Sequence, residues 1–260
     1  MTNIARVSAI AADTVRGLLR DRVLHAIVLL AAVVIALAWL LGGVTFHEEE
    51  RLARDLGLAA IALAGVVLAT VLGARVVHRD VERRAVDLLL TRPLTRGELL
   101  VGRFLGCALV MLLAVTILGG AVALTLRSAG GVFDGAMLRA CLLLWVEELI
   151  VLALALLFST FTTPLLASLY TLGLWAVGRS LPELRGLAGG NFVTRSLLHI
   201  VPDTHLYFPS GSALDGRAVS VNGARFVDWS YVAWAGGYGA LYVAAALCVA
   251  VTIFARRDLA

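Results

Sequence analysis

Two adjacent carboxylates, Glu147 and Glu148, lie within an otherwise apolar stretch running from about Ala140 to Thr160. A charge at the centre of a membrane span costs at least about 2.5–3.5 kcal/mol on insertion scales, so such groups belong in a protein interior or a wet cavity. Neighbouring helix positions differ by 100°, so the two side chains cannot point the same way. The pattern predicts one Glu buried or paired with an Arg such as Arg139 or Arg179, and the other nearer the membrane interface. Both are candidates for a translocation or dimer-interface contact; a structural hydrogen bond to a neighbouring helix is the alternative. His199, Asp203 and His205 also carry ligand atoms. Zinc and copper sites want defined geometry and usually a further ligand, so these are read as solvated loop groups and no metal site is expected. Neither H-E-x-x-H nor G-x-S-x-G occurs, and no catalytic residue is expected.

The 22 basic residues are all Arg; the sequence holds no Lys. A P-loop needs its Lys on the β/γ-phosphates, so no Walker-type ATPase site lies in this sequence. Hydrophobic residues make up 60%, charged residues 15%, and mean hydropathy is +0.93. Soluble domains run at about 45–50% apolar and about 25% charged. The composition excludes a disordered chain and points to lipid as the main solvent. The net charge of +4 does not imply nucleic-acid binding, because the Arg residues follow membrane topology. Cys107, Cys141 and Cys248 fall in apolar runs without C-x-x-C spacing and read as small core residues. No cleavable signal peptide is evident in the first 22 residues.

About 20 apolar residues cross a hydrocarbon core of about 30 Å. Runs of that kind predict six spans in one all-α transmembrane domain over 1–260, at about 23–46, 56–77, 104–126, 140–160, 164–181 and 229–255. The fourth and fifth are divided at Ser159-Thr160-Phe161-Thr162-Thr163-Pro164, where Pro starts a new helix. Arg residues crowd the segment before span one, the segment between spans two and three, and the end of the chain. By that bias both termini face the cytoplasm and 182–228 is an outer loop. Residues 3–20 read as an amphipathic interfacial helix, with Ile4, Val7, Ala11, Val15, Leu18 and Leu19 on one face and Arg6, Asp13, Arg16 and Arg20 opposite. The outer loop is expected to be a small structured cap, with a short helix at 194–201 and a hairpin turning at Asn222-Gly223.

The stretch from Arg75 to Arg103 begins as a charged helix. Leu88, Leu89 and Leu90 then form an apolar patch before Pro93, which disfavours α geometry at the residue before it. Thr95 and Glu98 make a T-x-x-E capping box for the next helix. An apolar patch rimmed by Arg on a cytoplasmic turn reads as a docking surface, or as a helical hairpin whose leucines pack on the membrane.

Glu82 through Gly106, with Asp87-Leu88-Leu89-Leu90-Thr91-Arg92-Pro93-Leu94-Thr95-Arg96 at its centre, resembles the type-two (ABC-2) permeases of ATP-binding-cassette transporters. The likeness extends over the whole chain, through Leu157-Phe158-Ser159-Thr160 to Phe254-Ala255-Arg256-Arg257-Asp258-Leu259, and is nearest the nitrous-oxide-reductase maturation permeases. The resemblance implies a bacterial inner-membrane export permease that homodimerises in the bilayer and binds two copies of a separate ABC ATPase. That ATPase, not this chain, would hold ATP and Mg, and the chain itself would need no cofactor. The resemblance also makes Leu88, Leu89, Leu90, Arg92, Pro93, Leu94, Thr95 and Arg96 a coupling helix, and Thr162 and Thr163 part of a second contact. A polytopic membrane enzyme or a secondary transporter using Glu147 and Glu148 are the competing readings; substrate identity is not legible in spans built from Leu, Val and Ala.

Overall fold

The computed structural model describes residues 3–42, 49–82, 96–128, 135–187, 201–207 and 228–256. They form eight α-helices: α1 (Asn3–Leu19), α2 (Arg22–Gly42), α3 (Glu49–Glu82), α4 (Arg96–Ser128), α5 (Gly135–Ser159), α6 (Pro164–Arg179), α7 (Leu181–Leu187) and α8 (Trp229–Arg256), with a 3-10 turn at Thr204–Tyr207. No strand occurs among the described residues.

The expectation of six spans is corrected by helix length. Among the described residues four helices are long and apolar enough to cross a bilayer: Arg54–Val76 within α3, Gly97–Ser128, Gly135–Ser159 and Trp229–Phe254. The fifth expected span, 164–181, fails because α6 is only 16 residues long, about 24 Å at 1.5 Å per residue against a core of about 30 Å. The first, 23–46, falls on α2 (Arg22–Gly42) and is not among these four; its apolar stretch among the described residues is Leu24–Ala36. The charge-free run that made the fifth look sufficient is divided by backbone chemistry. Thr162 N–H still bonds Phe158 O at 3.0 Å, Thr163 is extended (φ −73°, ψ 156°), and Pro164 opens α6. Proline has no N–H and a fixed φ, which suits the first helical position.

α5 is the hub. Its buried residues include every position from Ile150 to Leu156, a run that covers all sides of the helix. α3 packs along it most closely, because Gly73 lets the backbones approach: a Cβ there would lie 2.5 Å from Ala155 Cβ and 3.2 Å from Leu152 O. Ser159 Oγ donates to Ala74 O at 3.0 Å and fastens the same end. α8 lies on another side of α5. Trp229, its first residue, sits beneath the Arg139 guanidinium at 5.6 Å, and Val251 lies by Gly97 at the start of α4.

The amphipathic pattern of α1 is real, and its apolar face has a protein partner. Ala11, Thr14 and Leu18 are buried, while Asp13, Arg16 and Arg20 are exposed. The buried stripe packs on α4 at Gly102 and Gly106; a Cβ at Gly106 would come within 2.5 Å of Thr14 Cβ and 2.8 Å of Ala11 O. Arg103 reaches Asp13 Oδ2 at 3.3 Å and Thr14 Oγ1 at 3.0 Å. Cys107 and Cys141 are buried as expected of core residues, but Cys248 is exposed on α8. The helix expected at 194–201 lies almost wholly, and the Asn222-Gly223 hairpin entirely, outside the described residues.

The α3–α5 seam gives a controlled test. Gly73→Ala adds a methyl where no room exists and should cost about 1–3 kcal/mol by overpacking. Gly237→Ala adds the same methyl in open space on α8, and should be neutral or stabilising by up to about 1 kcal/mol from helix propensity. Thermal unfolding of the two variants in one detergent checks the difference; equal melting temperatures would refute the tight seam.

Candidate functional site

Glu147 and Glu148 are the thirteenth and fourteenth residues of a 25-residue helix, so they stand at its middle. Each is 1% exposed, which settles that neither faces lipid. The 100° between them sends them to different neighbours, as expected. Glu147 turns to α6. Its Oε1 accepts from Trp175 Nε1 at 2.9 Å and from Arg179 Nη1 at 3.3 Å. Trp175 and Arg179 are four residues apart and so lie on one face of α6. Of the two arginines the sequence offered, Arg179 makes the pair, while Arg139 lies over Trp229.

Glu148 turns to α3 and packs against Gly65. Among the described residues neither of its oxygens has a hydrogen-bond partner, and Glu147 Oε2 has none either. A cavity of about 10 Å³ beside Glu148 is lined by apolar residues including Ile27, Ile61, Leu68 and Leu118. Glu148 is therefore not the interface-exposed member of the pair; both are interior.

Beyond α6, residues 201–207 pack against the protein. Gly178 abuts Pro202 O and Thr204. Three tyrosines hold the 3-10 turn: Tyr207 donates to Ala235 O at 2.8 Å, Tyr231 donates to Leu206 O at 2.6 Å, and Asp203 N–H donates to Tyr238 Oη at 3.2 Å. Burial pushes the Tyr207 phenol well above its ordinary range, so it stays a neutral donor. Asp203 pairs with Arg185 at 3.1 Å; among the described residues no three metal-ligating side chains come together, and His199 lies outside them.

The expected coupling residues divide. Leu88, Leu89, Leu90, Arg92, Pro93, Leu94 and Thr95 lie outside the described residues. They are bracketed by α3, which continues to Glu82, well past its apolar section, and by α4, which begins at Arg96. Thr162 and Thr163 are in the α5–α6 turn, where Thr162 Oγ1 donates to Phe158 O at 2.8 Å. Through Ser159 and Ala74 this turn is tied to the half of α3 that continues to Glu82. Trp175 and Gly65 were missed by the sequence reading. Trp175 had a usable signal in its i, i+4 spacing to Arg179; Gly65 had none, since its role depends on a neighbour 83 positions away in sequence (65 to 148).

Removing one partner of a buried ion pair leaves the other uncompensated. Arg179 is 24% exposed, so Arg179→Met should cost about 3 kcal/mol, the lower end for buried pairs. Glu147→Gln/Arg179→Met should recover at least half of that loss. Denaturant unfolding of both single variants and the double variant checks this, and a double-variant loss equal to the sum of the two single losses would show that the pair is not coupled.

A family model described as ABC-2 family transporter protein matches residues 8–259. No curated protein matches the chain. The family match is general and distinguishes no subgroup. Extending over nearly the whole sequence, it shows that the chain belongs to the ABC-2 family of transporter permeases.

Proposed function

We propose that this ABC-2 family member is the membrane subunit of an ATP-driven exporter, working as a homodimer with two copies of a separate ABC ATPase. The family match over residues 8–259 carries the reading. The lack of any Lys agrees with it, since the nucleotide-binding P-loop must then lie outside this sequence. Within the family we place the chain nearest the nitrous-oxide-reductase maturation permeases, on the likeness over the whole chain and despite the departure from the family pattern at Arg84-Ala85-Val86. Its home is a bacterial inner membrane, with the Arg-rich connection between α3 and α4 on the cytoplasmic side.

The coupling element is the segment Leu88 to Arg96, whose leucines sit in a groove of the ATPase; Thr162 and Thr163 make the smaller second contact. The Ser159–Ala74 hydrogen bond supports pairing these two turns, because a push on one is passed to the helix that carries the other. Closure of the ATPase dimer on ATP moves both turns together and switches the bundle by rigid-body displacement, the kind of transition that bistable helix interfaces permit. Glu147 and Glu148 belong to the translocation path in this reading. Displacing α6 or α3 from α5 would open them to it, and Glu147→Gln should then alter transport more than membrane insertion.

Leu89→Asp places a charge in an apolar contact, which typically costs several kcal/mol when left unpaired. The variant should insert and dimerise as the wild type does, yet lose at least about tenfold in ATPase binding or in substrate-stimulated ATP hydrolysis. Co-purification with the ATPase and coupled turnover in proteoliposomes measure this. Full retention of both would remove the turn from the mechanism.

A further inference from the structure

A groove of about 260 Å³ runs between α4 and α5 and opens toward the surroundings of the bundle. Gly119, Gly120 and Ala123 form one side, and Leu138, Leu142 and Trp145 the other. Its polar side chains are already committed. Thr116, on the rim, donates its hydroxyl to Leu112 O at 2.7 Å, and the Trp145 indole donates to Ala108 O at 3.3 Å. Neither has a hydrogen to offer an occupant, so the groove is suited to an apolar chain.

The small residues here do not all serve packing within the chain. A Cβ added at Gly120 would meet nothing within 4 Å. Along α4 the groove runs from Leu112 to Ala123, about 16 Å at 1.5 Å per residue, close to one leaflet of a hydrocarbon core of about 30 Å. Thr116, Gly120, Ala123 and Arg127 share one helix face, and Arg127 is exposed one turn beyond the groove. A cation thus stands at headgroup depth over an apolar slot.

The geometry points to a phospholipid site, in which one acyl chain lies in the α4–α5 groove and Arg127 holds the anionic headgroup. A second copy of the chain fits less well. A helix about 10 Å wide does not enter a slot of this size. A two-fold axis along the membrane normal would also bring Arg127 of each copy to the same depth, side by side, where like charges repel. The proposal needs the bilayer but does not rest on the transport reading.

The test titrates the delipidated full-length chain in detergent with dioleoyl-phosphatidylglycerol or dioleoyl-phosphatidylcholine and counts retained lipid by native mass spectrometry. Gly120→Leu fills the groove and should weaken retention of one lipid per chain at least fivefold for both headgroups. Arg127→Gln should weaken phosphatidylglycerol about fivefold and leave phosphatidylcholine unchanged. Wild-type retention by Gly120→Leu overturns the site, and does so equally if that variant separates copies of the chain, which would assign the groove to a protein interface. Should Gly120→Leu not fold, nanodiscs containing chain-brominated lipid serve instead. The Trp145 signal, taken as wild type minus Trp145→Phe, should be quenched more by brominated phosphatidylglycerol than by an equal fraction of brominated phosphatidylcholine, and Arg127→Gln should abolish that difference. Equal quenching by the two lipids in the wild type overturns the proposal.

Discussion

The close approach of α3 to α5 sets the spacing of the remaining helices. Lipid tails are as apolar as leucine, so helices in a bilayer gain little from hydrophobic burial against one another and are held by packing and by polar contacts. At Gly73 the packing is backbone to backbone, and at Ser159 it is closed by a hydrogen bond onto Ala74 O. Gly65 leaves the room in which Glu148 sits. A side chain of ordinary size at either glycine would part the seam and carry with it α6, which meets α5 through Glu147, and α2, which packs on α3 through Ala31 and Ile35.

The polar contacts are distributed by a similar logic. The Trp175–Glu147–Arg179 cluster ties the short α6 to the middle of α5, and tyrosine hydroxyls fasten the turn that follows. A helix of 16 residues cannot span by itself. α6 and the 3-10 turn at Thr204–Tyr207 are each held to the rest of the protein by polar anchors of their own. α8, by contrast, is long and apolar, and only 22% of its most apolar window is buried, against 67% for α5. It is held mainly along one side, where Tyr231, Ala235 and Tyr238 take part in the hydrogen bonds that fasten the 3-10 turn.

Much of this was legible in the residues. Hydropathy located the apolar helices, the Thr-Pro step divided α5 from α6, and the carboxylate pair announced an interior position for one member because lipid would not accept it, although the other was expected nearer the interface. The number of spans was not legible, since a charge-free run does not report where a helix stops: the run through Gly178 looked sufficient, yet α6 closes at Arg179 after starting only at Pro164. The stripe on α1 was read correctly as apolar, but a stripe does not say whether lipid or protein covers it. Gly102 and Gly106 held that information and carried little weight, because small-xxx-small spacing is common in membrane helices. For Glu148, the partner position on α3 is a glycine, which has no side chain to leave a signal in the sequence.

The pairing of α1 with α4 has a bearing on how the protein is made. Arg103 and Asp13 are 90 residues apart in the chain, an interval of roughly 5–20 s at translation rates of about 5–20 residues per second. During that time α1 has been synthesised and α4 has not, so Ala11, Thr14 and Leu18 are without the surface that will cover them. A helix with one apolar and one Arg-bearing face is of the kind that can rest at a headgroup layer in the meantime. In the finished molecule the apolar stripe of α1 meets the flank of α4, and Asp13, Arg16 and Arg20 stay exposed.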